Sequence, residues 1–128
     1  MYDLDANLNL DFLIGLTLIQ VCVGETQLQL NFHPYVNVSS DESVSCITPT
    51  SKSQWGLEDH WSVLPESGDM KCIVDLLGFL GKTTTAFHRV GKSGLSLVFG
   101  DGFRIDLYGE SRHYESYQIR HSEGLIVV

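Results

Sequence analysis

The stretch Gly78-Phe79-Leu80-Gly81-Lys82-Thr83 ends like a phosphate-binding loop. Such a loop needs a glycine five residues before the Gly-Lys-Thr, so that backbone N–H groups wrap the phosphates, and a helix starting at the lysine. Leu76 holds that first place, and Thr83-Thr84-Thr85 favours a strand, so Gly81 reads as a helix terminator. Gly91-Lys92-Ser93-Gly94 lacks the spacing of a nucleophile elbow and precedes a strand, which makes it a hairpin turn. His33, His60, His88, His113 and His121 have neither the i, i+4 spacing of a helical metal pair nor a nearby cysteine. Cys22, Cys46 and Cys72 are odd in number and widely separated, and they read as reduced, buried small hydrophobes. Neighbouring carboxylates such as Asp41-Glu42 and Glu58-Asp59 do not set the separation that acid–base chemistry demands. No catalytic, metal or cofactor site is expected from these residues.

One constellation has the chemistry of an interface. Trp55, Glu58, Asp59, Trp61, Glu66 and Asp69 crowd into the least regular and most acidic part of the chain, with Asp41 and Glu42 just before it. Aromatic rings supply desolvated contact area, and carboxylates steer and pair with a basic partner. The opposing reading is that each tryptophan pins a long loop to its own core. The charge distribution supports the interface: up to Met70, ten acids face the single base Lys52, a net of −9, whereas from Lys71 onward six acids face seven bases, a net of +1. Of the overall −8, all the excess lies in the first half, which repels nucleic acid and anionic membranes and attracts a basic macromolecule.

The elements that must carry these residues are β-strands, organised by an internal repeat. After Gly15 come Thr17 to Val23, the turn Gly24-Glu25, alternating Leu28, Leu30 and Phe32, then Val36 and Val38. After Gly81 come Thr83 to Val90, the turn Gly91 to Gly94, alternating Leu95, Leu97 and Phe99, then Phe103 and Ile105. The copies, residues 15–43 and 81–111, differ by one residue in the turn, and each runs into a Glu-Ser pair. Gln27, Gln29 and Asn31 alternate with the apolar set, giving a half-buried strand with an amide-rich outer face. Val44, Cys46 and Thr48 read as an extension of the third strand, and Tyr114 to Ile119 and Leu125 to Val128 as two more strands.

Met70, Ile73, Val74, Leu77 and Leu80 predict one helix over residues 69–80, and a shorter helical turn is expected through Asp11 to Ile14. A chain of 128 residues with 43% hydrophobic content suits a single domain, 1–128. The expected class is mainly β (α+β), with two antiparallel three-strand units forming a curled sheet, sandwich or half-barrel, and the helix covering a face or an open end. No apolar run is long enough to span a bilayer and the amino terminus carries Asp3 and Asp5, so a cytoplasmic location is expected.

The repeated strand unit, the Gly100-Asp101-Gly102 turn and Tyr114-Glu115-Ser116-Tyr117 together resemble small bacterial domains, and the chain as a whole looks like the immunity proteins of contact-dependent growth inhibition and related polymorphic toxin systems. The resemblance implies a non-enzymatic protein that binds a cognate toxin domain, often a basic nuclease, and blocks its active site or substrate-binding surface. Nucleic acid and membrane are not expected partners. Another class is a small-ligand-binding β domain, which would hold an apolar cavity inside its strands.

Overall fold

The computed structural model describes residues 3–24, 27–40, 44–48, 59–61, 75–107 and 117–128. Among the described residues ten strands run β1 (Thr17–Val23), β2 (Leu28–His33), β3 (Val36–Ser40), β4 (Val44–Ile47), β5 (Asp59–Trp61), β6 (Ala86–Val90), β7 (Gly94–Gly100), β8 (Phe103–Leu107), β9 (Tyr117–His121) and β10 (Gly124–Val127). They form two antiparallel five-stranded sheets, ordered β1-β2-β3-β9-β10 and β5-β4-β8-β7-β6. Each sheet is built on one copy of the repeat, since β1-β2-β3 and β6-β7-β8 are equivalent meanders. Alternation decides which side faces in: Leu28, Leu30, Phe32, Val36 and Val38 of the first sheet and Leu95, Leu97, Phe99, Ile105 and Leu107 of the second are all buried in one shared core. Burying side chains of this size is worth about 1.5–3 kcal/mol each relative to exposure.

The sheets exchange strands. After β3 the chain leaves the first sheet, and β4 pairs with β8 in the second, Val44 opposite Leu107 and Cys46 opposite Ile105. After β8 the chain makes the reciprocal move, and β9 pairs with β3, with Ser40 opposite Tyr117 and Val38 opposite Ile119. The repeat is therefore five strands long, with β4-β5 equivalent to β9-β10, and each copy lends its last hairpin to the other copy's sheet. This corrects the expectation that Val44, Cys46 and Thr48 continue the third strand. Val44 and Cys46 are buried because they complete the second sheet, where they lie beside Leu107 and Ile105.

A local dyad marks where the copies meet. Gly15 donates its N–H to Thr84 O at 2.9 Å, and Gly81, its equivalent, donates to Leu18 O at 2.8 Å. Leu18 N–H meets Lys82 O at 3.0 Å, and Thr84 N–H meets Leu16 O at 2.8 Å. At the centre the equivalent residues Thr17 and Thr83 form an antiparallel bridge, their hydroxyls 2.8 Å apart. Both glycines have φ +85°, a conformation that costs a Cβ-bearing residue strain, which is why each copy opens on glycine. Phe32 and Phe99, also equivalent, stack at 6.4 Å in the core.

The segments outside the sheets cover the core. Asp11–Leu13 is a 3-10 turn, and Leu4, Leu10 and Leu13 are buried. Leu4 N–H bonds Lys92 O, and the Arg89 guanidinium donates to Asp5 O and Leu8 O, which fastens this segment to the β6–β7 hairpin. Of the helix expected over 69–80, residues 75–77 are helical and a turn runs on to Gly81, while 69–74 lie outside the described residues. Its buried side chains are Leu76 and Phe79, whereas Leu77 and Leu80 are 48% and 43% exposed. This reverses the expected stripe. The N–H groups of Gly78, Phe79, Leu80 and Lys82 each bond the carbonyl three residues back, so past the helical turn the period shortens to three and Leu76 and Phe79 share the inner face.

Candidate functional site

Among the described residues, the outer sheet faces carry most of the polar side chains. On the first sheet the register sets two transverse polar rows. One runs Gln20, Asn31, Asn37, Arg120 and Leu125, and the other Cys22, Gln29, Ser39, Gln118 and Val127. The amides hold one another: Asn37 Nδ2 donates to Asn31 Oδ1 at 2.6 Å, Asn31 Nδ2 to Gln20 Oε1 at 3.0 Å, and Gln29 Nε2 to Gln27 Oε1 at 2.8 Å. Between them lies an open groove of about 310 Å³, bordered by Tyr35, which is 59% exposed. Among the described residues that line it, Arg120 is charged and none is a carboxylate.

The corresponding face of the second sheet brings His88, Ser96 and Asp106 side by side on β6, β7 and β8. These are the residue types of a hydrolytic triad, but the order is wrong for one. The imidazole must stand between hydroxyl and carboxylate to take the nucleophile's proton. Here Ser96 stands in the middle and donates its O–H to Asp106, whose two oxygens also accept from Arg104 Nε and a terminal guanidinium nitrogen at 2.9 Å each. The row is a charge-assisted clamp holding a nearly buried carboxylate. Alternation with Ile105 and Leu107 puts Asp106 on the outer face, and it is nonetheless buried because Ser96 and Arg104 close over it.

At the junction of the sheets, Tyr117 is buried and donates its hydroxyl to Ser93 O at 2.7 Å. Burial pushes its phenol above the usual range, against a smaller opposite pull from the Arg89 charge, so it stays protonated and keeps that bond. Cys22 is half-buried and accepts from Asn31 Nδ2 at 3.8 Å, Cys46 is buried, and Cys72 lies outside the described residues. No group of three or more potential metal-binding side chains occurs among the described residues.

Of the acidic and aromatic constellation, Asp59 and Trp61 fall on β5, an edge of the second sheet, opposite Cys46 and Val44. Asp41, Glu42, Trp55, Glu58, Glu66 and Asp69 lie outside the described residues. In the second copy the place equivalent to Trp61 is held by Val128, which is fully buried and bonded through its backbone to Tyr117. The amide face was visible in sequence as the alternation of Gln27, Gln29 and Asn31. Its extension to Gln118 and Arg120 was not, because β9 reaches it only through the strand exchange.

No protein-family model, curated protein sequence or solved structure matches this chain. No helix among the described residues is long and apolar enough to cross a membrane.

Proposed function

We propose that this chain is an immunity-type binding protein that neutralises a cognate bacterial toxin domain, a basic nuclease, in the cytoplasm by covering its active site or substrate-binding surface. The observation that carries the reading is the charge segregation, ten acids against one base in residues 1–70, which supplies the complementary field for a basic partner. The contact set is Asp41, Glu42, Trp55, Glu58, Asp59, Trp61, Glu66 and Asp69, of which Asp59 and Trp61 belong to β5.

Charge steering acts on the association rate and is screened beyond about 8 Å at physiological ionic strength. Reversing Glu58 and Asp59 to Lys is therefore expected to slow association with the toxin domain, most of all at low salt. Truncating Trp55 to Ala should act on dissociation and cost about 2 kcal/mol if the ring anchors the interface. Both rates are measured by surface plasmon resonance on variants whose circular dichroism matches the parent. Trp61→Ala needs that check most, since its equivalent place is a core position. Unchanged rates in all of these variants would remove the proposed interface.

A further inference from the structure

We infer that the outer face of the first sheet is a binding site for a neutral oligosaccharide, a property separate from the toxin reading and independent of it. Among the described residues no carboxylate lines this groove, and its described lining is made of amides, hydroxyls, Tyr35, Leu125 and the charge of Arg120. A described lining dominated by neutral donors and acceptors suits an uncharged ligand rich in hydroxyls. Each hydroxyl both donates and accepts, and each side-chain amide offers both functions from one plane.

The bonds among the amides are part of the argument. The relay from Asn37 to Asn31 to Gln20 fixes the orientation of each group. Asn31 Nδ2 also donates to Cys22 Sγ at 3.8 Å and Asn37 Nδ2 to Gln29 Oε1 at 3.4 Å, so these two side chains keep carbonyl lone pairs for a ligand, aimed before it arrives, which lowers the ordering cost of binding. Tyr35, in the turn between β2 and β3, stands 59% exposed at the border as a platform for the apolar C–H face of a sugar ring.

Other occupants fit less well. A peptide added as a strand needs a sheet edge, and here β2, β3 and β9 are paired on both sides, leaving only side chains to make contact. A nucleic acid strand needs several cations to displace its counterions, and the described lining of this groove offers one, Arg120, on a chain of net charge −8. A protein hot spot needs an apolar, desolvated centre, whereas the centre of this face is amide.

The test is affinity electrophoresis of the full chain in native gels containing dextran, galactomannan, xyloglucan, mixed-linkage β-glucan or arabinoxylan. Retardation by at least one polymer is expected. The matching oligosaccharide, titrated by NMR, should shift the side-chain NH₂ signals of Asn31 and Asn37. Tyr35→Ala and Asn37→Asp should each weaken binding about tenfold. Tyr35 is exposed, so its truncation leaves the fold intact and keeps the test decisive. No retardation by any of the five polymers overturns the proposal, as does retardation that both variants leave unchanged, or a dimer in sedimentation that buries this face against a second copy. Glu58→Lys and Asp59→Lys should leave retardation unaltered, which separates this site from the toxin interface.

Discussion

Replacing Phe79 with Ala is expected to destabilise the protein by about 3–5 kcal/mol, the range for deleting a large aromatic side chain from a packed core. Phe79 is wholly buried, and its ring meets those of Phe99 and Phe103 edge-on at 5.1 Å each. It joins the turn before the second repeat to β7 and β8. Because a domain's whole stability is about 5–15 kcal/mol, the variant should be close to unfolding at room temperature. Urea denaturation followed by tryptophan fluorescence gives the comparison. Leu80→Ala, at a residue 43% exposed, should shift the midpoint far less, by an amount corresponding to about 1 kcal/mol or under. If Leu80→Ala proves the more damaging of the two, the turn presents the other face to the core and the assignment of the buried stripe is wrong.

Thr84→Val should cost about 2–4 kcal/mol, although it scarcely changes side-chain shape. The Thr84 hydroxyl is buried at the local dyad, where it donates to Leu13 O at 2.6 Å and accepts from Leu16 N–H at 2.9 Å. Valine fills the same space with a methyl group and leaves both backbone partners buried and unmatched. Thr84→Ser keeps the hydroxyl and should lie much nearer the parent. Thr17→Val, which removes a more exposed hydroxyl bonded only to Thr83, should cost less than Thr84→Val. Thermal denaturation of the set orders them. A valine variant as stable as the serine one would mean that these bonds are not what holds the two copies together.

The two variants probe different levels of the fold. Thr84 acts where one copy's backbone meets the other's, and Phe79 where a turn closes over the core the copies share. Neither role is visible from residue type. Thr84 sits in a run of three threonines that reads only as strand-forming, and its partners Leu13 and Leu16 are about seventy residues away.

What the sequence determined by itself is everything carried by a short period. Alternation at Leu28, Leu30 and Phe32 and at Leu95, Leu97 and Phe99 specified two equivalent strands and their inner faces, because a β-strand repeats every two residues regardless of its neighbours. Gly15 and Gly81, and the Gly100-Asp101-Gly102 turn with positive φ at all three residues, announced where the chain must bend. The tertiary structure decided whatever depends on which strands become neighbours. Val44-Ser45-Cys46 carries the same alternation in either sheet, and only the shared core selects its place beside Leu107 and Ile105. The same exchange brings Gln118 and Arg120 to Asn37 and Ser39, so the amide alternation of β2 grows into a groove only after folding. Asp106, outward by parity, is buried because Ser96 and Arg104 converge on it across the sheet, a pairing set by register and absent from any local pattern.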